Sequence, residues 1–156
     1  MDYRTERMEA MRVLCVSHRG AYNRIGEAFE RLCGLASENG IPMMEGSKWL
    51  GIYWDDPSEV PQEELRSEAC MTVIGDPSVP VAEDVASRLL DAGTYLVGTY
   101  VGAYSGLGEA WGCIWEELQR RNLVPGKSPC FELYMSGGED GLPEEEWVTE
   151  LCVPVE

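Results

Sequence analysis

The sequence predicts an α+β fold made of two tandem βαββ repeats. They share a pseudo-twofold axis, an antiparallel sheet, two helices on one face and a central cleft. Three observations predict it. RGAYNRIGEAF at residues 19–29 returns as VGAYSGLGEAW at residues 101–111, which lays Gly20 on Gly102 at an offset of 82 residues. The same offset lays PQEELRSEAC (61–70) on PEEEWVTELC (143–152), both of the form PxEExxxExC, and matches Ala10 with Ala92, Leu14 with Leu96 and Val73 with Val155 without a gap. Each copy also holds one apolar stripe at helical spacing between runs of β-forming residues. Two multi-residue motifs in one register indicate duplication inside a single fold, and two copies are too few for a solenoid.

The elements follow in order. VLCVSH (13–18) reads as a strand, bounded by the Gly of the first motif. Ile25, Ala28, Phe29, Leu32 and Cys33 then recur at helical spacing, with Asn23 as the expected N-cap and Glu27 in the first turn, where the helix dipole favours a carboxylate. Asn39-Gly40 ends that helix. WLGIYW (49–54) and ACMTVI (69–74) read as strands, and GDPSVPVA (75–82), with two prolines and no stripe, is the connector between halves at about 1–74 and 83–156. In the second half VASRLL (85–90) is expected to form a hairpin with YLVGTY (95–100) through the turn at 91–93. Ser105 is the expected cap of a helix whose stripe is Leu107, Ala110, Trp111, Ile114, Trp115 and Leu118, with Glu109 in its first turn. CFELYM (130–135) and LCVPV (151–155) close the fold as strands. One helix cannot cover its own half-sheet, so the halves are expected to join as one domain, 1–156, with a groove at the junction.

Composition narrows the function. With 44% hydrophobic residues, five Trp and seven Tyr in 156 residues, the chain can bury a good core. A net charge of -16 argues against direct nucleic-acid binding and against anionic membrane surfaces, and suits neutral or cationic partners. The opening MDYRTERMEAMR has no apolar leader core and no run reaches membrane-spanning length, so the chain reads as cytoplasmic. Six scattered cysteines with no CxxC, and a single His, read as mostly reduced, buried small side chains. Glu63, Glu64, Glu145 and Glu146 recur because the repeat recurs; each pair precedes a strand at a turn, and neither a metal nor a cofactor is called for.

One residue stands out. Glu132 lies between Phe131 and Leu133 in an otherwise apolar strand, and its counterpart at the gap-free offset is Leu50. Alternation puts Glu132 and Tyr134 on one face. Either Glu132 faces solvent or pairs with an arginine such as Arg12 or Arg88, or it is the polar anchor of an aromatic-lined groove that receives a cation or a donor.

HRGAY, GIYWDDPSEVPQEELR, VGAYSGLGEAW, FELY and the closing PEEEWVTELCVPV together resemble the GyrI-like small-molecule-binding domain, which also occurs as the effector-binding half of AraC-type and MerR-type multidrug regulators. The resemblance runs from about residue 3 to residue 155 and includes the YxDxP-type signature at 53–57 and the FExY signature at 131–134. It implies a duplicated βαββ fold whose cleft binds hydrophobic, often cationic compounds. The family's cleft glutamate falls on Glu132, Tyr134 would share its face, and Trp147 matches a cleft aromatic. Tyr22, Trp54, Tyr100 and Trp111 would complete the walls, with His18 near the end of the first strand. His18 as a structural histidine, and Trp111 and Trp115 as core residues, remain the ordinary alternatives. The 156 residues leave no room for the regulators' helix-turn-helix.

Three functions are consistent with this reading. One is binding, sensing or sequestration of a lipophilic, cationic or polycyclic small molecule. A second, implied by the resemblance, is hydrolysis of cyclopropane-bearing alkylating natural products, with Glu132 as base or water-positioning group and Tyr134 as hydrogen-bond donor. The third is inhibition of gyrase, or partnership with a regulator, through the acidic surface. The oligomeric state is not encoded in any of these motifs.

Overall fold

Helices form where the apolar stripes place them. α1 spans Gly26–Glu38 and α2 spans Leu107–Arg120, with Glu27 and Glu109 in their first turns. Neither Asn23 nor Ser105 caps. Both lie inside a one-turn 3-10 helix, Tyr22–Arg24 or Tyr104–Gly106, that leads straight into the α-helix, so Ile25 and Gly106 take the cap positions with no side-chain acceptor. The turn already begun supplies the geometry that a capping side chain would otherwise supply. α1 ends as expected: Asn39 Nδ2 donates to the Leu35 carbonyl at 2.9 Å and Gly40 turns at φ 63°.

The computed structural model describes residues 1–41, 47–75, 79 and 82–156. The fold is α+β, with eight antiparallel strands among the described residues: β1 Asp2–Met8, β2 Met11–Arg19, β3 Trp49–Tyr53, β4 Arg66–Thr72, β5 Val85–Leu90, β6 Gly93–Val101, β7 Phe131–Ser136 and β8 Val148–Val155. Residues 76–78, 80 and 81 of the expected connector lie outside the described residues. The chain divides into two units, Ala10–Asp91 and Met1–Glu9 with Ala92–Glu156.

In the unit Ala10–Asp91 the strands run β5-β2-β4-β3. Leu14 and Val16 on β2 and Ala69 and Met71 on β4 face α1, which buries Ala28, Leu32, Leu35 and Ala36 against them. Full burial of a side chain such as Leu32 contributes about 1.5–3 kcal/mol. The opposite face is also buried, at Val13, Cys15, Leu50, Ile52 and Cys70. The second unit repeats the plan as β1-β6-β8-β7, with Leu96, Leu151 and Val153 packed on Leu107, Ala110, Ile114 and Leu118 of α2. Cys15, Cys70 and Cys152 are buried, whereas Cys33 and Cys113 lie exposed on the helices.

The pairing departs from expectation in two ways. The turn at 91–93 does not close a hairpin: β5 pairs with β2, and β6 pairs with β1, a strand of alternating charge that periodicity did not signal. This exchange sets an edge-strand arginine beside the glutamate of each ExC motif, Arg88 Nε at 2.8 Å from Glu68 and Arg4 Nη2 at 2.7 Å from Glu150. A local hairpin would forgo both ion pairs. The second departure concerns register. Leu50 pairs with Cys70 and Phe131 with Cys152, so β3 and β7 align one residue off the gap-free offset. The counterpart of Glu132 is therefore Gly51, not Leu50, because the segment between helix and third strand differs in length by one residue, and a one-residue slip exchanges faces.

Candidate functional site

The repeated Gly-Ala-Tyr builds one turn twice. Where β2 and β6 end, Gly20 and Gly102 sit at φ 123° and 149°, a region open to glycine, and their N–H groups donate at 2.8 Å to the Leu65 and Trp147 carbonyls. The carbonyl of the following alanine accepts from the last inward side chain of the strand: Ala21 from His18 Nε2 at 3.0 Å, Ala103 from the Tyr100 hydroxyl at 2.7 Å. Since a carbonyl only accepts, His18 carries its hydrogen on Nε2. The tyrosine then meets the tyrosine of the third strand edge to face. Tyr22 and Tyr53 have centroids 4.8 Å apart; Tyr104 and Tyr134 are 5.6 Å apart.

On this shared frame the C-terminal unit places its distinctive group. β7 pairs Glu132 with Leu151 and Tyr134 with Thr149, on the face that α2 covers. Glu132 is 3% exposed. Trp111, from the first turns of α2, donates its indole N–H to Glu132 Oε2 at 2.6 Å, and the Tyr134 hydroxyl donates to Oε1 at 2.8 Å. Tyr104 stacks tilted on Trp147 at 4.7 Å, so Tyr134, Tyr104 and Trp147 form a continuous row of rings beside the carboxylate. Trp147 is fixed by its indole N–H to the Leu142 carbonyl at 2.9 Å. Thr149 Oγ1, in register between Tyr134 and Tyr100, is buried without a hydrogen-bond partner among the described residues, as is Ser67 Oγ between Tyr53 and His18.

Four of the residues singled out by sequence thus meet in one unit: Glu132, Tyr134, Trp111 and Trp147. Tyr100 belongs to the same unit, but its hydroxyl is engaged by Ala103, and its ring packs on Gly102 and Gly106. Together with Asp2, Glu109 and Cys113 it lines a separate surface hollow of about 480 Å³ that does not include Glu132. His18, Tyr22 and Trp54 belong to the unit Ala10–Asp91. Tyr22 is spent on the YWDDP loop: its hydroxyl donates to the Asp55 carbonyl at 2.7 Å and accepts from the Asp55 N–H at 3.0 Å, and burial raises its pKa. Arg66 hydrogen-bonds the Asp55 carboxylate and lowers its pKa. Trp54 donates to Glu68, and Arg88 is likewise engaged by Glu68. Tyr104 is a site residue that the motifs alone do not single out, although the repeat makes it the mate of Tyr22.

A carboxylate that accepts from an indole and a phenol, flanked by two more rings, is chemically suited to hold an apolar cation or to orient a water. Among the described residues no group of three or more His, Cys, Asp or Glu side chains is arranged to hold a metal ion. No helix among them is long and apolar enough to cross a membrane.

The GyrI-like small molecule binding domain matches residues 1–156. The chain belongs to the GyrI-like family. The GyrI-like chain is 30% identical to a DNA gyrase inhibitor of Pectobacterium carotovorum, covering 100% of this chain and 98% of that one, and 28% identical to a DNA gyrase inhibitor of Edwardsiella piscicida, covering 99% and 98%. In fold it is similar to the EcmrR C-terminal domain, with a TM-score of 0.86 at 15% identity over 99% of this chain and 97% of that one. It is also similar to SAV2435 bound to tetraphenylphosphonium, with a TM-score of 0.65 at 18% identity over 100% and 94%. These likenesses agree with the GyrI-like fold read from the duplicated motifs.

Proposed function

We propose that this GyrI-like protein binds a lipophilic, aromatic cation at Glu132, with Trp111, Tyr134, Tyr104 and Trp147 as its walls. The observation that carries the reading is a carboxylate only 3% exposed, whose two oxygens accept from Trp111 and Tyr134 among ring faces. Both of these donors are neutral groups that fix the orientation of the carboxylate. Each ring face turned to a cation adds about 0.5–2 kcal/mol. The net charge of -16 draws cations toward the protein from a distance. Tetraphenylphosphonium, the ligand of the structurally similar SAV2435, is a suitable probe.

The test is titration of the wild type and Glu132→Gln with tetraphenylphosphonium and with a neutral aryl compound of similar size. The variant should lose the cation by tenfold or more, about 1.4 kcal/mol, and keep the neutral compound. Equal loss of both, or of neither, refutes the anchor role. Product analysis in the same samples separates binding from turnover: multiple turnovers of a cyclopropane-bearing alkylating compound, abolished by Glu132→Gln, would establish hydrolysis in place of sequestration. The relatives' name makes gyrase the protein partner to assay, and inhibition of supercoiling that survives Glu132→Gln would place that activity elsewhere on the surface.

A further inference from the structure

Glu68 and Glu150 hold the same place in the PxEExxxExC repeat and share the same clamp, an arginine from the edge strand: Arg88 Nε at 2.8 Å and Arg4 Nη2 at 2.7 Å. As a structural ion pair, then, the motif needs no more than the arginine. Glu68 has one partner more. Trp54 donates its indole N–H to Glu68 Oε2 at 2.7 Å, while Arg88 holds Oε1 and its guanidinium carbon lies 5.6 Å from the centroid of the Trp54 ring. Glu68 alternates with Ala69, which packs toward α1, so the cluster lies on the sheet face away from that helix. The carboxylate is 3% exposed and Trp54 is 41% exposed. An indole left that open contributes little by burial; its orientation is set by the carboxylate, and its face is offered to a cation that the chain itself supplies.

We propose that Trp54, Glu68 and Arg88 form a second small-molecule site, which takes an aryl amidinium or guanidinium compound in the place of Arg88. The recognition device is an indole N–H on a buried carboxylate, as at Trp111 and Glu132, but it uses different residues and does not rest on the function proposed for them. A planar, delocalised cation reproduces both halves of what Arg88 does there, the charge-assisted hydrogen bond to the carboxylate and the contact with the ring. Its aryl group lies along the open part of Trp54. Arg88 is an internal competitor, so the wild-type affinity is reduced by the fraction of molecules in which its guanidinium occupies the site.

Benzamidine is the probe, used on the full chain. The readouts are calorimetry and the indole N–H resonance of Trp54, assigned with Trp54→Phe. Benzamidine should shift that resonance saturably in the wild type. Arg88→Met should bind at least tenfold more tightly, and adding Glu68→Gln to it should abolish binding. Arg88→Lys, which keeps the ion pair but loses the planar fork, should also bind more tightly than the wild type and serves if Arg88→Met does not fold. Glu132→Gln should leave the saturable shift of the Trp54 resonance in place, which separates this site from any benzamidine taken up at Glu132. The site is refuted if the Trp54 resonance fails to respond in any folded variant, if neither Arg88 variant gains affinity, or if the response disappears in Glu132→Gln. It is also refuted if benzoate binds in preference to benzamidine, which would make Arg88 an anion receptor.

Discussion

Trp111 and Glu132 are joined by a hydrogen bond of 2.6 Å from indole nitrogen to carboxylate oxygen, between a helix and the strand it covers. Trp111→Phe keeps a ring and removes the donor. Hydrogen bonds to charged groups contribute about 1.5–3 kcal/mol, and urea denaturation should show a loss of that order. The loss should shrink in a Glu132→Gln background, where the acceptor is neutral. Equal losses in both backgrounds would mean that the indole acts by packing alone.

Gly102 and Gly20 make the same turn under different constraint. A Cβ on Gly102 would meet the Tyr100 hydroxyl at 2.8 Å, whereas one on Gly20 would meet only His18 Nε2, at 3.9 Å. Both alanine substitutions incur the strain of positive φ, about 1–3 kcal/mol. Gly102→Ala should lower the melting temperature more than Gly20→Ala, because it also displaces the tyrosine from the Ala103 carbonyl. The reverse order would contradict the geometry of the turn.

The hydroxyls of Thr149 and Ser67 are buried without partners among the described residues. An unsatisfied buried polar group costs about 1–3 kcal/mol, so Thr149→Val and Ser67→Ala should each be neutral or stabilising, by about 1 kcal/mol at most sites of this kind. Destabilisation in chemical denaturation would show that the hydroxyls are satisfied by ordered water, which calls for a search for those waters by crystallography.

On α2, Glu117 accepts from Arg120 and Arg121, which holds its carboxyl at about 2, against an ordinary value of 4.5. A folded-state pKa below the unfolded one means that the folded protein binds the proton less readily. The contribution is therefore complete above pH 4.5 and is lost as pH falls toward about 2. Thermal melts of wild type and Glu117→Gln should differ at neutral pH and converge near pH 2, with the neutral-pH gap narrowing in high salt. A constant gap at every pH would assign the effect to packing.

The helices and most strands were legible because their periodicity is strong: the stripe from Leu107 to Leu118 and the apolar run of β2 admit one reading each. The FELY strand betrayed Glu132 because a carboxylate is improbable among Phe131, Leu133 and Tyr134. What escaped was non-local. β1, with five of its seven residues exposed, carries no hydrophobic signature, and the pairing of β5 with β2 goes with contacts such as Arg88 to Glu68 on β4, 20 residues apart, which local patterning does not show. The Gly51–Glu132 correspondence needed the ladder itself, since the one-residue difference upstream is cancelled by a bulge between Tyr134 and Ser136, which leaves both flanking motifs in alignment. Tyr104 needed only that the repeat be applied symmetrically.

Each unit draws one edge strand from the other repeat's stretch of sequence. Either repeat expressed alone would leave β2 or β6 as a bare, sticky border, with its natural cover encoded in the other half of the gene. Scissile positions for split-protein complementation therefore lie not at the midpoint of the sequence but at Glu9–Ala10 and Asp91–Ala92, where the backbone crosses from one unit to the other.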